Sequence, residues 1–454
     1  MGQRARELTP ARSAAHAFGA ELRRRRVERG LSQAGLGEMV HHSAALVGKI
    51  EKAERLPSAE FCALVDATLD TGGILSRMQL MIDSKAQVEH LCLVEPSWTV
   101  GATLRALREL TGGRVDRRDF LALTGTALAA TATTWGEAVT TLGSAPGRGG
   151  RRLGGATLDR LTQRLADLRL LDDEWGGTVL RELAGAELRW LTGLAGSADL
   201  GEAEQRRVLG LIAEAARLCG WLYFDADHHA AAQAHYVTAL RCSANAGDPL
   251  TGANVLAGMS FQATLTGHTS DALTLLDTAE QQVAGTASPK LRALLASRRA
   301  RAHARAGDVW ACGKALNQAE AALDAARDGH SEPDWIYFFD EAELAAQAGA
   351  CWVDLCQPAR ARPLLDGALR TLGPQYVRDR TIYHVRSAQT HLHSGDLDLA
   401  CQELTTATEL VQRTGSTRSI STIREARHAM SPHDTEPMVR QLDQALAEVA
   451  GRVA

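Results

Sequence analysis

The chain has 454 residues, which is too many for one ordinary domain and suits two to four. Hydrophobic residues make up 45% and aromatics only 4%, so a buried core is available, and Ala/Leu-rich helix packing is favoured over an aromatic, β-branched sandwich. The net charge of −4 excludes a protein that coats nucleic acid along its length, but residues 1–82 hold twelve Arg/Lys against nine Asp/Glu and the remainder 38 against 45. In chain order, residues 1–17 read as a flexible N-terminal segment and 18–82 as short helices with tight turns. Residues 83–142 read as a helical connector and 143–155 as a linker, with six Gly among thirteen residues. From 156 to 450 helix follows helix with no β-rich stretch, so the fold class is all-α.

The head holds the strongest signal. Leu22 opens an Arg-rich helix that Gly30 stops, and Ser32 caps a second helix containing Leu36, Met39 and Val40. His41-His42-Ser43 forms a short turn, and Ser43 caps a third helix whose Leu46, Val47 and Ile50 face inward. Pro57 ends the run, and a fourth helix extends to Leu69. Two short helices joined by such a turn make a helix-turn-helix, whose second helix reads bases from the major groove. The Arg23–Arg26 run and Arg29 suit phosphates.

Leu31-Ser32-Gln33, Leu36, Ser43, Lys49-Ile50-Glu51 and Arg55-x-Pro57 fall in one ungapped register. Residues 18–80 thereby resemble the Cro/CI, or XRE, family, which implies a five-helix DNA-binding domain. The resemblance implies that Gln33 meets a phosphate, that Ser43, Ala44, Ala45 and Lys49 face the major groove, and that Arg26 and Glu51 form an internal salt bridge. Arg23 and Lys52 join the expected DNA-binding set through their charge. Three residues depart from the family pattern. His41 stands where the turn usually has Gly, His42 where a small apolar residue packs, and Ala53 where Gly follows the Glu. The His pair reads either as a pH or metal sensor or as ordinary turn histidines. Ala44 and Ala45 touch thymine methyls but cannot read purine edges.

In the connector, Asp116-Arg117-Arg118-Asp119-Phe120-Leu121 looks like a twin-arginine export signal, but its place inside the chain favours a capped helix start. In the body, a small-x-x-x-Leu/Tyr-x-x-Ala template recurs. It matches Ala232/Tyr236/Ala239, Ala272/Leu276/Ala279, Cys312/Leu316/Ala319, Ala361/Leu365/Ala368 and Ala400/Leu404/Ala407, at spacings of 40, 40, 49 and 39 residues. This resembles tetratricopeptide (TPR) repeats, with a longer period, and implies a superhelical array of helix pairs whose groove takes a peptide, small molecule or protein.

The longest spacing contains residues 328–343. Trp335, Tyr337, Phe338 and Phe339 lie there among acids that include Asp340 and Glu343. The segment reads either as a ligand wall, with Trp335, Tyr337, Phe338, Asp340 and Glu343 as candidates, or as a plug that packs a longer loop. Arg378 and Arg380 form a second charged cluster, read either as ligand-binding or as internal salt bridges.

No phosphate loop, His-Glu-x-x-His or Gly-x-Ser-x-Gly elbow occurs, so neither catalysis nor a cofactor is expected. His228, His229 and His235 near Asp225 and Asp227 read as solvated surface histidines before a metal site. The eight cysteines lack a C-x-x-C, so no metal or disulfide framework is indicated. No apolar run is long enough for a membrane span, and the N-terminus is no secretory signal, so a cytoplasmic protein is expected. The architecture resembles actinobacterial regulators of development and secondary metabolism and, more distantly, peptide-sensing Gram-positive regulators. The expected partners are double-stranded DNA, a second copy in a homodimer and a groove ligand. The alternative is a TPR adaptor whose helix-turn-helix docks onto a protein.

Overall fold

The computed structural model describes residues 14–53, 55, 57–69, 71, 75, 76, 78, 79, 98–112, 125–142, 154–175, 177–197, 200–326 and 331–453. Among these residues every regular element is helical and no strand occurs. The chain divides into two compact units, residues 1–94 and 95–454.

The first unit contains α1 (Ala14–Glu28), α2 (Gln33–Met39), α3 (Ala44–Glu51) and α4 (Ala59–Leu69). Leu75, Ser76, Met78 and Gln79 are helical and belong to a fifth. Local chemistry sets the ends. Gly30 stops α1 at φ 67°, where a residue without Cβ meets no penalty. The Ser32 hydroxyl accepts from Gly35 N at 2.9 Å, and Ser43 accepts from Leu46 N at 3.2 Å. Asp66 accepts from Leu75 N at 3.0 Å and from Ser76 N at 2.8 Å, capping the fifth helix. Phe18, Leu22, Leu36, Val40, Val47, Ile50, Phe61 and Val65 form the core. Helix α1 begins at Ala14, inside the segment expected to be flexible. Met39, in α2, faces solvent.

The second unit opens with α5 (Val100–Thr111) and α6 (Thr126–Leu142), which lie in the expected connector. They pack onto the body. Trp135 is fully buried and donates to Ser243 Oγ at 3.0 Å. Asn245 Nδ2 donates to Trp98 O at 2.8 Å and Thr103 Oγ1 at 3.1 Å. The Arg117-Arg118 motif lies outside the described residues, as does most of the expected linker, whose last residue, Gly155, starts the next helix.

There follow α7 (Gly155–Trp175), α8 (Gly177–Ser197), α9 (Glu202–Asp225), α10 (His229–Ala246), α11 (Pro249–Leu265), α12 (Thr269–Val283), α13 (Pro289–Arg305) and α14 (Val309–Ala325). A 3₁₀ turn at Asp334–Ile336 precedes α15 (Glu341–Asp354), α16 (Pro358–Thr371), α17 (Val377–His393), α18 (Leu397–Thr414), α19 (Thr417–His428) and α20 (Pro437–Val453).

Helices α9 to α18 form five successive antiparallel pairs. Each pair turns on one residue of positive φ: Asp227 (65°), Gly267 (86°), Gly307 (78°), Cys356 (54°) and Gly395 (82°). The next N–H bonds back five residues, as His228 N does to Tyr223 O (2.9 Å) and Asp396 N to His391 O (2.9 Å). This is one Schellman turn used five times, at the same spacings as the sequence template. Every template side chain is buried. A small residue lies sixteen positions before each template Leu/Tyr: Gly220, Ser260, Ala300, Gly349 and Ala388. A Cβ on Gly220 would lie 2.6 Å from the Tyr236 ring, and one on Gly349 2.7 Å from Leu365 Cγ, so these positions set how closely paired helices approach.

The array also closes on itself. Helix α7 packs on α9 and reaches α17 and α18, while α19 packs on α9. Arg418 of α19 donates to Asp225 of α9 at 2.9 Å, across 193 positions of sequence.

Candidate functional site

The head presents one polar face. Ser43, Ala44, Ala45, Lys49 and Lys52 are all exposed, on and beside α3. Ser43 also uses its hydroxyl as the α3 cap. The turn leading into α3 needs a left-handed residue, and His41 supplies it at φ 57° without the freedom of glycine. His42 packs its ring 5.4 Å from Phe61. Ala53, the third departure, sits at φ 55°.

Behind that face lies Glu51, fully buried. Arg26 Nε donates to Glu51 Oε1 at 2.6 Å, and Gln33 Nε2 donates to Glu51 Oε2 at 2.7 Å. Arg23 Nε stands 3.5 Å from the same carboxylate. Two residues expected on phosphates, Arg23 and Gln33, are therefore turned inward, where they orient α1 and α2 on α3. Arg24 and Arg25 are also engaged, since both donate at 2.8 Å to Glu21. The Arg24 bond is the main reason the Glu21 carboxyl is held down at about 2. The arginine run is thus engaged within the head, Arg24 and Arg25 by Glu21 of the same helix and Arg23 and Arg26 by Glu51 of α3. The exposed positive charge beside α3 comes from Lys49, Lys52 and Arg55.

The second unit contains a chamber of about 140 Å³. The paired helices line one side of it, α7 and the 334–340 segment another. Trp335, Tyr337, Phe338, Asp340, Glu343 and Arg378 all line it. The two readings of the aromatic segment therefore describe different residues. Ile336 and Phe339 are fully buried as a plug, while Tyr337 and Phe338 face the chamber. Tyr337 donates to Asp173 Oδ2 at 2.5 Å, tying the segment to α7. Glu343 accepts from the Tyr383 hydroxyl and from Gln347 Nε2 at 2.9 Å, and Asp340 caps α15.

Arg378 is buried, donates to Asp172 Oδ1 at 2.9 Å and lies over the Trp221 ring. Arg380 does not join it. Its guanidinium donates to Leu369 O and Leu372 O at 3.2 Å, covering the end of α16. Two positions along a helix turn a side chain to another face. Burial pushes the Asp173 carboxyl up to about 7, despite the Tyr337 bond, and raises Glu343 and Asp379 as well.

The chamber has further lining groups that sequence reading missed: Arg217, Tyr236, Asn254 and Arg298, one from each of α9, α10, α11 and α13. No single motif joins them, because they come from four helices in three successive pairs, and the template that includes Tyr236 marks it only as a groove filler. The one available hint was an arginine on the inward face of an Ala/Leu-rich helix, as at Arg298.

The histidines of α10 also differ from expectation. His235 is buried, stacks on Tyr223 at 4.8 Å and bonds Ala231 O at 2.8 Å, and burial depresses its pKa to about 4. His229 lies 3.0 Å from Asp227. Among the described residues no cluster of His, Cys, Asp and Glu could hold a metal, and no helix is long and apolar enough to cross a membrane.

Compared with known proteins, residues 17–76 match the helix-turn-helix domain family. No curated protein matches the chain. The match runs from within α1 through α4 to Ser76, so this part of the first unit is similar to helix-turn-helix domains.

Proposed function

We propose that the protein is a sequence-specific transcriptional regulator of the Cro/CI (XRE) type, cytoplasmic and not an enzyme. Its helix pairs act as a TPR-like domain that dimerises and senses a signal. The reading rests above all on the matched helix-turn-helix and its exposed α3 face: Ser43, Ala44, Ala45, Lys49 and Lys52. In this reading α3 enters the major groove and the two lysines neutralise phosphates. Gln33 and Arg23 act indirectly, by holding α3 through Glu51. The chamber supports the sensing half, because a concave, part-apolar cavity with convergent polar groups is where small ligands bind. A ligand that favours one dimer geometry shifts operator affinity by its differential affinity for the two states. The reading groups the protein with the actinobacterial regulators of development and secondary metabolism that it resembles.

A homodimer supplies two heads to a two-fold operator. The α7–α8 hairpin supports this, with Leu170, Trp175, Leu183 and Trp190 each about half exposed (51%, 60%, 50% and 47%). A second copy of the hairpin is the occupant that such an isologous contact requires.

The test is selection of genomic fragments by the full-length protein, then anisotropy titration of the best fragment at several salt concentrations. We expect an enriched inverted repeat. Lys49→Ala and Lys52→Ala should each weaken binding and lower the salt slope by about 1. Trp175→Glu should give a monomer in sedimentation and weaken operator binding. Sequence-blind binding, insensitive to Lys49, would instead favour the adaptor reading, which the hydrogen-bond-poor Ala44–Ala45 pair supports.

A further inference from the structure

Five arginines line the chamber: Arg169, Arg217, Arg298, Arg378 and Arg418. Three of them have carboxylate partners, with Arg169 on Glu214, Arg378 on Asp172 and Arg418 on Asp225. Among the described residues Arg217 and Arg298 have no ion pair. Arg298 is only 6% exposed, and its Nε and Nη1 are buried without a hydrogen-bond partner in the protein. Its guanidinium rests on the Phe261 ring, 4.2 Å from the centroid. Arg217 Nε is likewise unmatched, as are Asn254 Nδ2 and the Tyr236 hydroxyl. All four residues belong to the wall formed by the paired helices.

The acids of the chamber are placed differently. Asp172 accepts from Arg378, Asp173 from Tyr337, Glu343 from Tyr383 and Gln347, and Asp340 from the start of α15. Asp379 lies in the field of Arg378 and Arg418. The surplus is therefore of hydrogen-bond donors, gathered on the wall of the paired helices, while the five lining carboxylates already have partners or lie beside arginines. A carboxyl under burial can take up a proton and become neutral, whereas a guanidinium cannot lose one in a protein. Arg298 lies in the field of Glu343 but bonds no carboxylate, so the free N–H groups of Arg217 and Arg298 are best matched by an anionic acceptor from outside the chain.

The chamber also limits the size of its occupant. The Asp172–Arg378 and Asp173–Tyr337 bonds hold α7 and the aromatic segment across the helix pairs, and Arg418–Asp225 joins the last helices to the first. An extended peptide would have to break these bonds. The remaining lining is aromatic: Phe338 and Tyr337 on one side, and Trp221 and Phe261, each with a guanidinium over its ring, on the other.

We infer that the signal is a small organic anion, a planar and largely apolar molecule bearing a carboxylate that Arg217, Arg298 and Asn254 bind. The inference rests on the sensing role proposed above and names its ligand class.

The test uses the full chain and matched probes: indole-3-acetate and 4-hydroxybenzoate, their neutral amides, and the cation tryptamine. At millimolar concentration the carboxylates should raise the melting temperature, while the amides and tryptamine leave it unchanged. Arg298→Met should raise the half-saturating carboxylate concentration at least about tenfold. Without any probe, Arg298→Met and Arg217→Met should melt at or above the parent, because each removes a buried charge that has no partner. Arg378→Met, which strands Asp172, should melt below it. Failure of the carboxylates to act selectively overturns the inference, and so does a loss of stability in both Arg217→Met and Arg298→Met. If the amides or tryptamine stabilise the protein instead, the sensing reading stands and only the anion is wrong. If no probe moves either the melting temperature or operator affinity and both variants are destabilised, the chamber is structural and both readings fall.

Discussion

Glu51 shows how one buried acid can set the position of an exposed helix face from behind it. Arg26 and Gln33 donate to it and Arg23 stands against it, so three polar side chains of α1 and α2 are matched by a single carboxylate. Glu51→Ala strands the buried Arg26 guanidinium, and a cost of about 3–5 kcal/mol is expected. Denaturant unfolding should show the loss in the head, together with reduced operator binding. Asp173 is the counterpart in the body. Its folded pKa, about 7, lies above the ordinary 3.8, so the folded state binds more protons between those values. The stability it contributes is present below about pH 4 and is lost as pH rises towards 7. His235, depressed to about 4 from 6.5, acts in the opposite sense and loses stability as pH falls below 6.5. Between pH 6.5 and 7 the His235 slope is fading and the Asp173 slope is the larger of the two. Asp173→Asn should flatten the decline in melting temperature across that interval, as a pH series of thermal melts would record. The Arg26–Glu51 pair was readable through the family register, since two positions 25 apart carry complementary charges. The inward turn of Gln33 was not, because its spacing suits a phosphate contact equally well.

The helix pair is the unit in which most of the body was legible. Small-x-x-x-Leu/Tyr-x-x-Ala encodes a groove and the side chain that fills it, so buried template positions follow from local pattern alone. The turn chemistry was only partly visible. Gly267, Gly307 and Gly395 announce a left-handed residue, but Asp227 and Cys356 occupy the same conformation without glycine's signature. The placement of α6 was not legible, because an Ala/Thr-rich amphipathic helix carries no record of its partner. The structure finds its partners in α10 and α12, and Trp135 bonds Ser243 of α10 and lies directly over Gly252 at the start of α11. A Cβ on Gly252 would collide with the indole, so Gly252→Ala should cost about 1–3 kcal/mol and expose Trp135. A red-shifted tryptophan emission and a lower melting temperature are the expected signatures. Gly258→Ala, whose Cβ would meet the Tyr236 hydroxyl at 3.4 Å, should be milder.

The all-helical class, the helix-turn-helix and the repeating helix pair follow from the order of residues alone, because each is written in residues close along the chain. Capping serines, a 3.6-residue apolar period and a recurring small residue act within one or two helices, so neighbours in sequence suffice to specify them. Where the array closes and what its interior holds depend on the packing of distant segments. Asp172 and Arg378 are 206 positions apart and Asp225 and Arg418 are 193 apart, yet each pair is bonded, and such partners are chosen by how repeats stack. Stacking converted unremarkable residues on four helices, Arg217, Tyr236, Asn254 and Arg298, into one wall of a chamber. It also separated Arg378 from Arg380, two residues that composition had grouped together. The physical reason is one of range. Local conformational preference extends a turn or two, whereas burial and charge pairing depend on whichever surfaces meet after the chain has folded.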